Sequence, residues 1–351
     1  MTSRFFPAHG RRVVGTLSAL TLAACAGAPT DATTKSSRID VTAPSLSVNE
    51  INSDRHVFHT REWFAQNAAR PHGGSNTGIS YHGGSVLQSG TKVVAIYWGS
   101  GASPVGYANL PSGTGSGSAD GTLIGAFLRS YSSLTDAAAN KTYFNINHTY
   151  WGPGGSPTTN LIVPTVTYTS YWNTNGDAGA PTPSSSPTDA AMIALVNWGI
   201  ANGRIAYDPQ TVYAIFTGSG VNLGGGFGTQ YCAYHTHGTN AAGTFYYAAM
   251  PYNQQYVSGC TSRFASPNAD VAANSEVNTL AHEIEETTTD NMGNAWYDNR
   301  GYENADKCAW TWGTTATSPT GGVYNLKAND LYFLVQQNWV NAGRGGCATG
   351  Y

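Results

Sequence analysis

The residues best suited to chemistry lie in one short stretch, SEVNTLAHEIEETTTD, at positions 275–290. At 100° per residue on a helix, His282, Glu286 and Asp290 fall on one side, and Glu283 lies beside them. A histidine and a carboxylate four residues apart can bind one ion from a single turn, as the HExxH helices of metallohydrolases do. The carboxylate next to the first ligand can hold and deprotonate a water. The spacing predicts a metal site with His282 and Glu286 as ligands and Glu283 as general base.

The charge pattern around this helix favours a bound cation. Only 11% of the chain is charged, yet positions 264–299 contain no Lys or Arg. The same positions hold the acids Asp270, Glu276, Glu283, Glu285, Glu286, Asp290 and Asp298. Like charges four residues apart on a helix repel, and a divalent cation, best a single zinc ion, is the simplest compensation. The alternative is a solvated acidic face without any ion.

Further ligands must come from outside the helix. Downstream, NAWYDNRGYENADKC carries Glu303 and Asp306, and we take Glu303 as the third ligand. Upstream, YCAYHTHG places His235 and His237 two residues apart, so on a strand both would face the same side. These histidines could also do no more than pack in a loop. The additional candidates for ligands or substrate contacts are Asp306, Asp290, His235 and His237.

Alternating and helical patterns predict the elements that position these groups. The predicted strands are 91–99, 142–151, 161–172, 210–220 and 244–253, and the predicted helices are 122–134, 188–203 and the acidic helix. This order indicates a single α+β domain, with a mixed sheet packed on helices that include the acidic one.

The N-terminus has the composition of an export signal. A basic start is followed by VVGTLSALTLAA and then by Cys25 in LAAC, which resembles a bacterial lipobox. An apolar run this short does not span a bilayer, so we expect membrane contact only through a lipid on Cys25. Ordinary cleavage nearby, releasing a soluble protein, is the alternative. We expect a signal peptide at 1–25, a flexible polar linker at 26–75 with a short helix around REWFAQNAAR, and the folded domain at 76–351.

Export would place the remaining cysteines in an oxidising compartment. Cys232, Cys260, Cys308 and Cys347 allow three pairings, and the local one, Cys232–Cys260 with Cys308–Cys347, closes the shortest loops.

The net charge of −3, without a basic stripe, argues against a nucleic-acid partner.

Five segments of the chain resemble, in order, the phosphate-induced, Exordium-like family, known from plants as secreted cell-wall proteins linked to growth. They are YHGGSVLQSGTKVVAIYWG, TVYAIFTGSGV, YCAYHTHG, AHEIEETTTDNMGNAWYDNRGYENADKC and YNLKANDLYFLVQQNWVNAGRGGC. The resemblance runs from about Tyr81 to Cys347 and implies an exported protein with a zincin-like fold around the HExxE helix. It carries over to His282, Glu283, Glu286, Trp296, Glu303, Asp306, Cys308, Cys232 and His235. Family members tend to have Asn-Pro in place of Asp290-Asn291, so Asp290 is either an added ligand or a cap.

Two functions follow from these observations. The first is a zinc-dependent hydrolase at the cell surface that cleaves peptide or other amide bonds. The second is a non-catalytic surface protein in which the ion fixes a loop and exposed aromatic side chains bind cell-wall polysaccharide. An open coordination position would favour the hydrolase, and a closed shell would favour the binding protein.

Overall fold

The computed structural model describes residues 55–68, 78–100 and 103–351. The expected signal peptide, Cys25 and most of the expected linker lie outside these ranges. Within them, none of the helices combines the length and the apolar character needed to cross a bilayer.

The main helices begin at side-chain caps, which explains where they start. Thr122, Thr188 and Asp270 each accept a hydrogen bond from the backbone N–H three residues later. The helices are α1 (Arg61–Ala68), α2 (Leu123–Ser130), α3 (Asp189–Ala201), α4 (Val257–Cys260) and α5 (Val271–Thr289). The predicted helices near 122–134 and 188–203 and the acidic helix are thus confirmed.

The strands form one large sheet and several small ones. They are β1 (His56–His59), β2 (Ser80–Tyr81), β3 (Thr91–Trp98), β4 (Thr114–Ser116), β5 (Thr135–Asp136), β6 (Trp151–Ser156), β7 (Thr159–Leu161), β8 (Val166–Asn173), β9 (Thr211–Thr217), β10 (Tyr231–Asn240), β11 (Gly243–Met250), β12 (Trp296–Tyr297), β13 (Ala316–Thr317), β14 (Val323–Tyr324), β15 (Leu326–Ala328), β16 (Leu331–Phe333), β17 (Asn338–Val340) and β18 (Gly346–Ala348). The large sheet has the order β1-β10-β11-β9-β3-β8-β4. Its centre, β11-β9-β3-β8, is parallel, and the outer strands run antiparallel, so the sheet is mixed.

Helices cover both faces of this sheet. Alternate residues of β3 starting at Val93 join the apolar cluster that contains α2 and α5. Those starting at Val94 pack with α3 on the opposite face. Because successive side chains of a strand point to opposite faces, the nearly continuous apolar sequence of β3 serves both cores. The α+β class and the mixed sheet are confirmed.

Two expectations differ from the structure. The stretch TYFNINHTYW, predicted as a strand, forms a 3₁₀ helix over Tyr143–Thr149. Its residues Tyr143, Phe144, Ile146 and Asn147 are all buried, a spacing of three and four that suits a helical turn rather than alternation. In the predicted strand 161–172, β8 begins only at Val166, shortly after Pro164, whose nitrogen cannot donate to a ladder.

Residues 55–68, expected to belong to a flexible linker, form β1 and α1. β1 pairs with β10 at the edge of the large sheet, with His56 opposite His235. Phe58 is completely buried and packs with Cys232 and Cys260. Burial of the Phe58 side chain and the β1–β10 ladder explain why this segment is ordered although its composition is polar. The short helix expected around REWFAQNAAR is present as α1.

The disulfides follow the local pairing that we expected. Cys232 in β10 bonds to Cys260 at the end of α4, and Cys308 bonds to Cys347 in β18. The second bridge ties the loop that follows Glu303 and Asp306 to the C-terminal end of the chain.

Candidate metal centre

The acidic helix α5 is an interior helix. His282, Glu283, Glu285 and Glu286 have no accessible surface. The solvated acidic face is therefore wrong, and the cost of burying these groups must be met by hydrogen bonds, protonation or a cation.

Three of the seven acids shape the chain around α5. Asp270 caps its N-terminus by accepting the N–H of Ala273. Asp290 lies just past its C-terminus, where Oδ1 accepts two backbone N–H groups of the next loop, and burial raises its pKa to about 6. Asp298 forms an ion pair with Lys307 at 3.0 Å. Asp290 therefore acts as a cap and belongs to none of the candidate ligand groups found in the described residues.

Two more acids belong to buried hydrogen-bond networks. Glu276 Oε1 accepts the backbone N–H of Asn253 at 2.5 Å. Glu285 accepts the Tyr131 hydroxyl at 3.0 Å and the side-chain amide of Asn147. Neither is part of a candidate ligand group. Of the seven acids, only Glu283 and Glu286 belong to candidate ligand groups.

The first group of candidate ligands comprises His282, Glu286 and Asp306, and one potential ligand atom from each lies within 4.8 Å of the others. His282 Nε2 lies 3.0 Å from Glu286 Oε2 and 3.6 Å from Asp306 Oδ1. All three atoms are buried, and none has a hydrogen-bond partner in the described residues. The geometry brings Asp306 rather than Glu303 to the helix pair.

Glu303 instead joins two histidines. Its Oε2 lies 3.0 Å from His56 Nδ1, and its Oε1 lies 3.7 Å from His235 Nε2. These three residues form another group whose ligand atoms all lie within 4.8 Å of one another. The rings of His56 and His235 stack with their centroids 5.0 Å apart, as expected from their opposed positions in β1 and β10.

Glu283 lies between the two groups. Its Oε2 is 3.1 Å from His235 Nδ1. Its Oε1 is buried and lacks a hydrogen-bond partner among the residues described. Glu283, Glu286 and His235 form a third, overlapping group. One oxygen of Glu283 is thus held while the other is available to a proton.

Burial governs the protonation of the whole cluster. It is the largest cause that raises the pKa of Glu283, Glu286, Glu303 and Asp306 well above the usual range, and neighbouring carboxylates raise the pKa of Glu283 further. It lowers the pKa of His282 to about 4 and that of His235 well below its usual value. The histidines are neutral at physiological pH, which is the form that binds metal ions.

Neighbouring side chains fix the His282 ring. Its Nδ1 lies 3.1 Å from the side-chain amide of Gln336, and Phe58 stacks on the ring with centroids 4.1 Å apart. His237 belongs to none of the groups in the described chain. His237 lies two residues beyond His235 on β10, a distance of about 7 Å along the strand, and is therefore too far along to join the cluster.

A cleft of about 290 Å³ reaches the cluster from solvent. Its lining includes Glu303 and Asp306 together with His56, His59, Trp63 and Tyr302. His59 and Trp63 stack with centroids 3.5 Å apart. A larger cavity of about 450 Å³ lies near the N-terminal half of α5, away from the candidate ligand groups. We take the smaller cleft as the candidate site because three of the candidate ligands, His56, Glu303 and Asp306, line it.

His56 is a candidate ligand that the sequence patterns did not predict. It lies in the range that we expected to be a linker, far along the chain from its neighbours His235 and Glu303. A signal was nevertheless present, because HVFH alternates and puts His56 and Phe58 on one side of a strand.

Comparison with known proteins gives one family. Residues 188–347 match the family model of the phosphate-induced protein 1 conserved region. The matched region contains α5, both disulfides and the candidate ligands except His56. No curated protein and no solved structure matches the chain. Residues 188–347 of the chain therefore carry the conserved region of the phosphate-induced, Exordium-like family.

Proposed function

We propose that this protein is a metal-dependent hydrolase that cleaves peptide or other amide bonds, with zinc as the metal. His282, Glu286 and Asp306 hold the ion, and Glu283 is the general base. One observation carries the proposal: His282 Nε2, Glu286 Oε2 and Asp306 Oδ1 are buried, converge on one another and lack hydrogen-bond partners in the described part of the chain.

The three donors fit zinc in type and spacing. Zinc binds His nitrogen and carboxylate oxygen at about 2.0–2.2 Å, so neighbouring ligands of a tetrahedral ion are about 3.3 Å apart. The 3.0 Å and 3.6 Å separations around His282 Nε2 bracket this value. Two carboxylates and one neutral imidazole also balance the charge of a divalent ion. Three protein ligands leave a fourth position open, which suits catalysis.

The remaining groups have the placement that hydrolysis needs. A zinc ion here would supply an acidified water and polarise the scissile carbonyl. Glu283 receives the proton on Oε1, while His235 Nδ1 holds Oε2 at 3.1 Å. Glu283 must later return this proton to the leaving amine. The cleft beside Glu303 and Asp306 admits the substrate.

A zincin-like arrangement is part of this proposal. The HExxE helix packs on one face of a mixed sheet whose outer strands include the antiparallel β10. This likeness rests on the helix motif and its packing on the sheet. Export, with or without a lipid on Cys25, completes the proposal for a protein that acts at the cell surface.

The non-catalytic alternative rests on the aromatic wall of the cleft. His59 and Trp63 stack there, next to Tyr302, and such rings could bind a polysaccharide while the ion only fixes the loop. This function needs the ion but not Glu283.

The test is Glu283→Gln, with Glu276→Gln as its matched control. Both residues are buried on α5, but only Glu283 belongs to a ligand group. We expect Glu283→Gln to keep its zinc and to lose about 100- to 10,000-fold in turnover of a peptide library read by mass spectrometry. His282→Ala should lose zinc from this site. Cleavage by Glu283→Gln at the wild-type rate, or no cleavage by wild type, would contradict the hydrolase.

A further inference from the structure

His56 brings a donor to the cluster from a segment outside the family match. The residue is the first of β1, directly opposite His235 in the β1–β10 ladder. Antiparallel partners hold their side chains on the same face of the sheet. Both imidazoles therefore meet Glu303, which arrives from the loop before Cys308.

One contact within this trio is too long to be a hydrogen bond. His235 Nε2 and Glu303 Oε1 are 3.7 Å apart, too far for a hydrogen bond. Both atoms are buried, and neither has a hydrogen-bond partner in the ranges that the structure describes. Buried polar atoms in native proteins are nearly always paired. Two such atoms that face each other across this distance have room for an ion between them.

We infer that His56 Nδ1, His235 Nε2 and the Glu303 carboxylate form a second cation site, distinct from the His282–Glu286–Asp306 site. His56 Nδ1 lies 3.0 Å from Glu303 Oε2, and His235 Nε2 lies 3.7 Å from Glu303 Oε1, so the two imidazoles face the two oxygens of one carboxylate. One potential ligand atom from each of the three residues lies within 4.8 Å of the others, which is close enough for a single ion. Two imidazoles and one carboxylate select a borderline metal such as zinc over calcium or magnesium, which prefer oxygen ligands. The inference goes beyond the proposed function, because it requires neither hydrolysis nor an ion at the first site.

The orientation of His235 separates the two sites. Its Nε2 lies 3.7 Å from Glu303 Oε1, whereas its Nδ1 lies 3.1 Å from Glu283 Oε2 and 3.8 Å from Glu286 Oε2, on the side of the first site. A histidine that binds metal through one nitrogen commonly donates from the other to a carboxylate. An ion on Nε2 thus leaves Nδ1–H to donate to Glu283, which keeps its other oxygen for catalysis. One ring cannot direct both nitrogens at a single ion.

The second ion would join three distant parts of the chain. It would connect β1, β10 and the loop that the Cys308–Cys347 bridge restrains. Docking of the N-terminal segment would then depend on metal. The segment also carries Phe58, which stacks on His282, so the second ion would support the first site indirectly.

The test is metal stoichiometry in the full chain. Purified protein is dialysed against zinc, and the bound metal is measured by elemental analysis. We expect two ions per wild-type chain, one in His56→Ala and one in His282→Ala. Glu303→Gln, which preserves side-chain volume, should also retain one. His237→Ala is the matched control on β10 and should retain two, because His237 belongs to none of the ligand groups in the described part of the chain.

Each outcome separates this inference from the proposed function. A single wild-type ion that His282→Ala removes and His56→Ala keeps would overturn the second site alone. A single ion that both variants remove would mean one shared site and would also overturn it. A single ion that His56→Ala and Glu303→Gln remove but His282→Ala retains would support the second site and would contradict the catalytic site. As a second readout, zinc should slow hydrogen exchange of the β1–β10 amides in wild type but not in Glu303→Gln.

Discussion

Glu276 and Glu286 lie on the same helix, and each accepts one backbone N–H on Oε1 while its Oε2 has no hydrogen-bond partner among the described residues. They differ in what the second oxygen faces, because only Glu286 Oε2 lies beside a histidine, 3.0 Å from His282 Nε2. Both have a pKa raised well above the usual range, with burial as the largest cause. At the residue scale, therefore, the acidic run combines groups that hold the fold together with groups that can hold an ion.

Glu276→Gln should remove a pH-dependent loss of stability. Burial raises the folded-state pKa of Glu276 above 4.5, so its carboxyl stays protonated in the folded chain after it ionises in the unfolded one. Below about pH 4.5 the carboxyl is protonated in both the folded and the unfolded state, so the residue contributes no pH dependence. Above about pH 4.5 the free energy of unfolding falls by up to about 1.4 kcal/mol per pH unit, until the pH reaches the pKa of Glu276 in the folded state. Gln keeps the acceptor for Asn253 and does not titrate.

The measurement is urea unfolding of both proteins between pH 4.5 and 7. The variant should match wild type at the acidic end and become progressively more stable than wild type as the pH rises. A difference that stays constant with pH would show that Glu276 titrates in its ordinary range.

The sequence predicted the residues of α5 better than their partners. His282, Glu283 and Glu286 follow from spacing within one helix, which local periodicity fixes. The choice between Glu303 and Asp306 depends on a loop conformation that no period encodes. His56 depends on strand pairing across most of the chain, and a search restricted to neighbouring positions cannot find it.

β1 and α1 show how a short element gains order from a few contacts. Phe58 is fully buried between His282 and Trp310, with ring centroids at 4.1 and 4.8 Å. Thr60 N–H donates to the Gln230 carbonyl at 2.9 Å, and Trp310 Nε1 donates to the His59 carbonyl at 3.0 Å. At the element scale, one aromatic side chain and a short ladder hold the segment against the domain.

Phe58→Ala should loosen this segment before it affects the rest of the fold. Truncating a buried Phe costs about 3–5 kcal/mol, and the loss falls on β1 because Phe58 is its only wholly buried apolar residue. Hydrogen exchange at Thr60 should speed up strongly, whereas amides of β3 and β9 should not change. Val57→Ala, whose partly buried side chain packs on the other face, is the control and should have a smaller effect. Equal acceleration in β3 would contradict a locally held segment.

Helices and strands were predicted correctly from the sequence where a single helical or strand pattern ran through the segment. The capped helix α3 and the apolar strand β3 have strong periods and clear ends. The sequence TYFNINHTYW is compatible both with the alternation of a strand and with a tight helical turn. The helical turn forms because it buries the aromatic residues of this stretch in the folded domain. The short strands after residue 295 have too few residues for any period to show.

At the scale of the whole molecule, the disulfides differ in accessibility. Cys232 and Cys260 are buried under Phe58, whereas Cys347 is exposed. The Cys308–Cys347 bridge closes a separation of 39 residues, worth about 4 kcal/mol on the chain-entropy model.

Mild reductant should therefore open Cys308–Cys347 first. The expected result is a folded protein with two alkylated cysteines, 308 and 347, and a lower melting temperature. Zinc affinity should also fall, because Glu303 and Asp306 lie in the loop that this bridge restrains. Mass spectrometry of alkylated peptides identifies the order, and alkylation of Cys232 and Cys260 in the folded protein before the other pair would contradict it.

Chelation of the metal should destabilise the entire domain. The candidate ligands come from β1, β10, α5 and the loop before Cys308, so the unfolded chain cannot assemble them, and any ion binds the folded state almost alone. Linkage then gives about 2.7 kcal/mol of stabilisation when the free ion is at roughly 100 times its dissociation constant. Removing zinc with a chelator should lower the melting temperature by several degrees, and returning zinc should restore it. The double variant His56→Ala/His282→Ala, which lacks one histidine of each site, should melt at the same temperature with and without chelator. A wild-type melting temperature that does not respond to chelator would show that protonation alone stabilises the buried carboxylates, and no metal site would then exist in this cluster.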